Sequence, residues 1–142
     1  PSSSLQLEVI DLKETPVNIV LWVIAGVLAA AFLAAGVMKL VQPKEKLAAS
    51  GMGWTESFSS GTVKTIGALE LLAAVGLLLP ALLHIAPILV PLAALGLVLI
   101  MIGAIVTHAR RKENQMIGAN VALLILAAVV VWGRFGPYPF GS

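Results

Sequence analysis

The chain has 142 residues, 59% apolar and 11% charged, with 9 basic and 7 acidic side chains, a net charge of +2 and no cysteine. A soluble domain averages about 45–50% apolar and about 25% charged, and one this small leaves about a third of its chain surface in water. A mean hydropathy of +1.01 therefore excludes an ordinary soluble globule, a disordered chain and a nucleic-acid binder.

In chain order, residues 1–17 form an N-terminal tail. Leu5, Leu7 and Val9 alternate there with Gln6 and Glu8, a period-two pattern that suits a strand or a partner-docking arm, with disorder or a tag remnant as alternatives. Four apolar runs follow, at about 18–38, 63–83, 85–107 and 115–133. Each meets the roughly 20 residues that a helix needs to cross a bilayer. Backbone groups in lipid must pair within the segment, so each run is expected to be a helix. The runs are continuous rather than alternating, which argues against a barrel. Short connections make successive helices antiparallel neighbours. The expected fold is all-α: an integral membrane antiparallel four-helix bundle over residues 18–135, with a C-terminal tail at 136–142.

Between the first two spans, Pro43–Ser50 reads as a short interfacial helix and Gly51–Gly61 as a loop. Trp54 and Phe58 in that loop either anchor in the bilayer surface or form a lid over a pocket. Pro80, Pro87 and Pro91 bracket the next turn, and the last two suit a helix first turn, where no backbone donor is missed. Small residues recur at Gly26, Ala29, Ala30 and Gly36 in span 1 and at Gly96 and Gly103 in span 3. They permit close helix approach, within the bundle or between copies of the chain.

Basic residues set the expected orientation. Lys39, Lys44, Lys46 and Lys64 belong to one connection and Arg110, Arg111 and Lys112 to another, against only Lys13 and Arg134 on the opposite side. That places the two connections in the cytoplasm and both termini outside. Trp22 and Trp132 then fall at the outer boundary as interface anchors, with Trp54 an anchor at the other boundary and Arg134 close enough to the surface to snorkel.

Ionisable residues within a span are costly and point to function by default. Glu70 is the one carboxylate embedded in any span, about 10 Å in from Val63 at 1.5 Å per residue. Lys39, His108 and Asn120 reach the same level from the other three spans. One reading is a satisfied structural layer in which Glu70 pairs with Lys39 and accepts from Asn120. The other is a polar pocket for a quinone headgroup or similar molecule, with Glu70 or His108 exchanging protons. The two histidines, His84 and His108, stand about 36 Å apart by helix rise and cannot share one haem. Lack of cysteine removes thiolate chemistry, iron–sulfur clusters and zinc–thiolate sites. No metal site and no catalytic residue is assigned, and catalysis by this chain alone is not expected.

The stretches Ala35–Leu40 (AGVMKL), Gly51–Ser59 (GMGWTESFS), Gly61–Pro80, Pro91–Glu113, and Asn120 with Val131–Phe135 (VWGRF) carry a resemblance. Over about residues 20–135 the chain resembles the DoxX-like family of small four-helix bacterial membrane proteins. The resemblance implies a bacterial inner-membrane protein that partners a redox system, and it supplies no catalytic residue set. The expected function is an accessory subunit of a quinone-linked respiratory or redox assembly. It has no cofactor held within the chain beyond a quinone, and its partners are the lipid bilayer and larger subunits or copies of itself. The alternatives are a self-contained quinone or small-molecule binding protein and a small transporter.

Overall fold

A computed structural model describes residues 16–140; the alternating segment Leu5–Val9, Lys13 and the last two residues lie outside them. Five α-helices follow one another: α1 (Pro16–Val41), the short α2 (Lys44–Ala49), α3 (Ser60–Leu83), α4 (Leu89–Arg110) and α5 (Asn114–Phe135), with a 3-10 turn at Gly53–Ser57 before α3. No strand occurs among the described residues. The four long helices are each apolar and long enough to cross a membrane. In the bundle α1 packs on α3, α3 on α4, α4 on α5, and α5 closes the ring against α1. The all-α membrane bundle expected from the sequence is the fold observed.

The helices extend past the predicted runs where caps allow it. Pro16 opens α1 at a position where no amide donor is missed. The hydroxyl of Ser59 accepts from the Thr62 amide at 3.1 Å, which starts α3 three residues earlier than hydropathy suggests. The third run was expected from residue 85, yet α4 begins at Leu89. The chain ends α3 with His84 in the left-handed region (φ 55°). The Ile85 amide then bonds back to Pro80 O at 3.0 Å and that of His84 to Ala81 O, so the residues between are spent on turning. This is a Schellman closure. It recurs after α2, with Gly51 in the left-handed position, and after α4, with Lys112 there. Pro91 falls in the first turn of α4, as its missing donor requires, whereas Pro80 sits inside α3.

Most of each helix surface faces outward: only 22% to 33% of the residues in each spanning window are buried. Ile19, Val27, Leu72, Leu99 and Ile125 are exposed, as lipid-facing positions should be when the solvent is as apolar as the core. The buried cluster lies toward the end of the bundle that carries the termini, built from Leu28, Phe32, Leu77, Leu97, Met101 and Val130. Gly36 seats directly against the α3 backbone, but a Cβ on Gly26, Gly96 or Gly103 would meet nothing within 4 Å. Those three are therefore not close-approach points inside the bundle.

Candidate functional site

Toward the other end, which carries the basic connections, packing gives way to a cavity of about 450 Å³. It begins at the seam of α1 and α3. A Cβ on Gly36 would stand 2.7 Å from the Gly67 carbonyl oxygen, and one on Gly67 would stand 2.7 Å from Lys39 Cβ, so only hydrogen fits at this crossing. Each glycine is followed one turn later by a charged residue, Lys39 on α1 and Glu70 on α3. Helical side chains lean toward their own N-terminus. Because α1 and α3 are antiparallel, Lys39 leans into the bundle and Glu70 leans toward it. Lys39 Nζ lies 2.7 Å from Glu70 Oε1, and the residues are 6% and 3% exposed. Desolvating two charges costs several kcal/mol per ion before their attraction offsets it.

The same cavity is lined by His108 from α4 and Asn120 from α5, both buried. The structure thus brings together all four polar residues singled out from the sequence. The expected bond from Asn120 to Glu70 is not made: Asn120 Nδ2 is buried without a hydrogen-bond partner. Asn120 lines the cavity, but this nitrogen itself is enclosed. Donors so placed are rare, because buried polar groups are normally satisfied.

His108 has a partner that the sequence reading missed. Its Nδ1 lies 3.1 Å from Glu113 Oε1, which also accepts from Arg111 Nε at 2.9 Å. The Schellman closure after α4 brings this about: the Glu113 amide bonds to His108 O at 2.9 Å and so folds the glutamate over the histidine ring. The signal was present as a His-x-x-x-x-Glu spacing at a helix end, read there only as a basic turn. The Glu113 carboxyl is held below its ordinary value first by the hydrogen bond from His108, with Arg111 acting in the same direction against desolvation. An ionised Glu113 accepts the Nδ1 proton, and the opposite ring nitrogen, Nε2, is then the acceptor in neutral imidazole.

The connection between α2 and α3 closes the cavity. Met52, Trp54 and Phe58 line it, and the Trp54 ring lies 5.6 Å from Lys39 Nζ and edge-on to Phe58 at 5.9 Å. Trp54, expected as a bilayer anchor or a lid, therefore stands in the lid position, its face toward an ammonium. The segment is tied down twice at its C-terminal end: Lys44 Nζ donates to Phe58 O at 3.0 Å, and Arg111 Nη1 donates to Ser57 Oγ at 3.2 Å.

At the opposite end of the bundle Trp132 is exposed and meets Tyr138 edge-on at 5.8 Å, while Trp22 meets Phe140 at 5.3 Å. Arg134 corrects the expectation of a snorkelling side chain, because it is 4% exposed. Its guanidinium donates to Asn18 Oδ1 at 2.6 Å and Tyr138 O at 3.0 Å. It also stacks 3.8 Å from the Phe140 ring centroid. The C-terminal segment folds back over it and supplies partners that a headgroup would otherwise provide.

A pocket of this kind offers apolar walls with a few convergent polar groups at one end, the usual form of a small-molecule site. It presents an ion pair, an unpartnered amide donor and an oriented imidazole. The comparisons bear on which proteins share the frame. The model of the DoxX-like family matches residues 23–130, which takes in α3, α4 and most of α1 and α5 with every residue of the polar cluster. No curated protein and no solved structure matches the chain. On the family match, the chain belongs to the DoxX-like family.

Proposed function

We propose that this DoxX-like protein is an accessory subunit of a quinone-linked redox assembly in a bacterial inner membrane, and that its cavity receives the polar head of a quinone-type amphiphile. The observation that carries the reading is the Asn120 amide, buried without a partner in the same cavity as the Lys39–Glu70 pair and His108. A purely structural polar layer would satisfy its donors. A carbonyl-bearing headgroup supplies the acceptor that Asn120 lacks, and Ile66, Met101 and Leu123 give apolar wall for a ring and tail. The subunit role rests on electron supply: the chain has no cysteine and two histidines, one before α4 and one in its last turn, so electrons reach the occupant from a partner. The basic connections face the cytoplasm and the termini face outside, by the asymmetry of lysine and arginine.

The test uses the protein in lipid nanodiscs, with Trp22 and Trp132 replaced by Phe so that Trp54 reports alone. A short-tailed ubiquinone is titrated in. Saturable quenching of Trp54 is expected, and Gly103→Leu should abolish it by filling a cavity wall position where a Cβ meets nothing. Equal, non-saturating quenching in both proteins would mean the quinone dissolves only in the lipid. For the subunit role, isolation from native membranes should bring down a larger protein with a redox-cofactor spectrum, and a lone chain would speak against it.

A further inference from the structure

We propose that His108 is a base for the occupant of the cavity and Glu113 its orienting carboxylate, so that the pocket takes an amphiphile with an acidic O–H, such as a phenol or hydroquinone, and holds it as the anion. This rests on the pocket proposed above and adds the chemistry of its occupant. His108 lines the cavity and is 4% exposed, whereas Glu113 is part-exposed. Nδ1 faces Glu113 at 3.1 Å. A carboxylate bonded to one ring nitrogen fixes the tautomer and makes the other the acceptor. Nothing among the described residues bonds to Nε2.

The remaining groups around the ring are Lys39 from α1, Glu70 from α3, Asn120 from α5, and Arg111 beside Glu113. Lys39 and Glu70 compensate each other at 2.7 Å, and Arg111 is turned to Glu113 and Ser57. With the Glu70 carboxylate held in its ion pair, the base in the wall outside any ion pair is Nε2, and the occupant proton goes there. When it moves there from the occupant oxygen, the O–H bond breaks and an N–H bond forms. The ring becomes an imidazolium bonded to Glu113, and the occupant oxygen becomes an anion that accepts from Asn120 Nδ2. No net charge enters the cavity.

The probe is an alkyl nitrophenol, whose phenolate absorbs in the visible, added to the protein in nanodiscs one pH unit below the probe's own pKa. About a tenth of the free probe is ionised there. We expect most of the bound probe to be phenolate. His108→Gln should return that share to about a tenth while the probe still binds, Glu113→Gln should lie between, and His84→Asn should match wild type. Probe bound as the neutral phenol in wild type, or an equal phenolate share in wild type and His108→Gln, overturns the proposal. The wild-type spectrum and Glu113→Gln decide the matter even where His108→Gln does not assemble, since Glu113 sits at the surface. The methyl ether of the probe and a short-tailed ubiquinone separate the two readings. If these bind while the phenol stays neutral, the pocket stands and the base assignment falls; if none of the three binds, both fall.

Discussion

Removing Lys39 should cost more than neutralising Glu70, and the difference should depend on pH. The two groups meet at 2.7 Å and are 6% and 3% exposed, and breaking such a pair costs about 3–5 kcal/mol. In Lys39→Met the carboxylate is left alone, but its penalty is capped. Instead of remaining charged it takes a proton from solvent, at about 1.4 kcal/mol for each pH unit above the ordinary carboxylate value near 4.3. At pH 7 that is about 3.7 kcal/mol, and at pH 5 about 1 kcal/mol. In Glu70→Gln the amide oxygen still accepts from Lys39, whose ammonium also has the Trp54 face at 5.6 Å and a position in the last turn of its helix. The expected loss is about 1–2 kcal/mol, that of a degraded charged hydrogen bond. Unfolding in a mild detergent, followed by helical signal at pH 7 and pH 5, gives both numbers. Equal losses for the two variants at pH 7, or a Lys39→Met loss that does not shrink at pH 5, would refute the reasoning.

Three further outcomes follow from the geometry. Gly36→Ala and Gly67→Ala should each destabilise by about 1–3 kcal/mol through overpacking at the helix seam, whereas Gly96→Ala, with nothing within 4 Å of its Cβ, should melt like wild type. The Glu113 carboxyl is depressed in the fold by His108 and then Arg111. Its contribution to stability is therefore present above the ordinary value near 4.3 and lost as pH falls through the lower folded value. The melting-temperature gap between wild type and Glu113→Gln should close as pH is taken from 6 to about 3. Because the chain has no cysteine, a single cysteine at Ser50 or at Pro137 can report sidedness: a membrane-impermeant maleimide added outside intact cells should label Pro137→Cys and spare Ser50→Cys, and the reverse pattern would invert the proposed topology.

The four spans were legible because lipid imposes length and continuity on an apolar run, and Lys39, Glu70, His108 and Asn120 could be placed at one level by helix rise alone. Side-chain pairing was legible only in part. The Lys39–Glu70 pair follows from charge, but the Asn120 bond expected beside it is absent, since a shared level does not fix where a side chain points. Glu113 was passed over because its position beside His108 depends on Lys112 adopting a left-handed backbone (φ 59°), a conformation that lysine rarely takes and that no apolar period reports. The burial of Arg134 depends on Tyr138 and Phe140 returning over it, a long-range event beyond the last span. The boundaries of α4 moved for a similar reason: hydropathy does not see the turn that His84 begins.

The pairing of Lys39 with Glu70 also sets how the protein responds to voltage. An uncompensated charge carried across the whole bilayer feels about 2.3 kcal/mol for each 100 mV of membrane potential. Lys39 and Glu70, 2.7 Å apart, present the field with a dipole and no net charge, so an energised membrane does not drive this end of the bundle outward. Loss of the carboxylate charge, by Glu70→Gln or by protonation, leaves a lone cation part-way through the field. The position of the Lys39 ammonium then becomes dependent on whether the cell membrane is polarised.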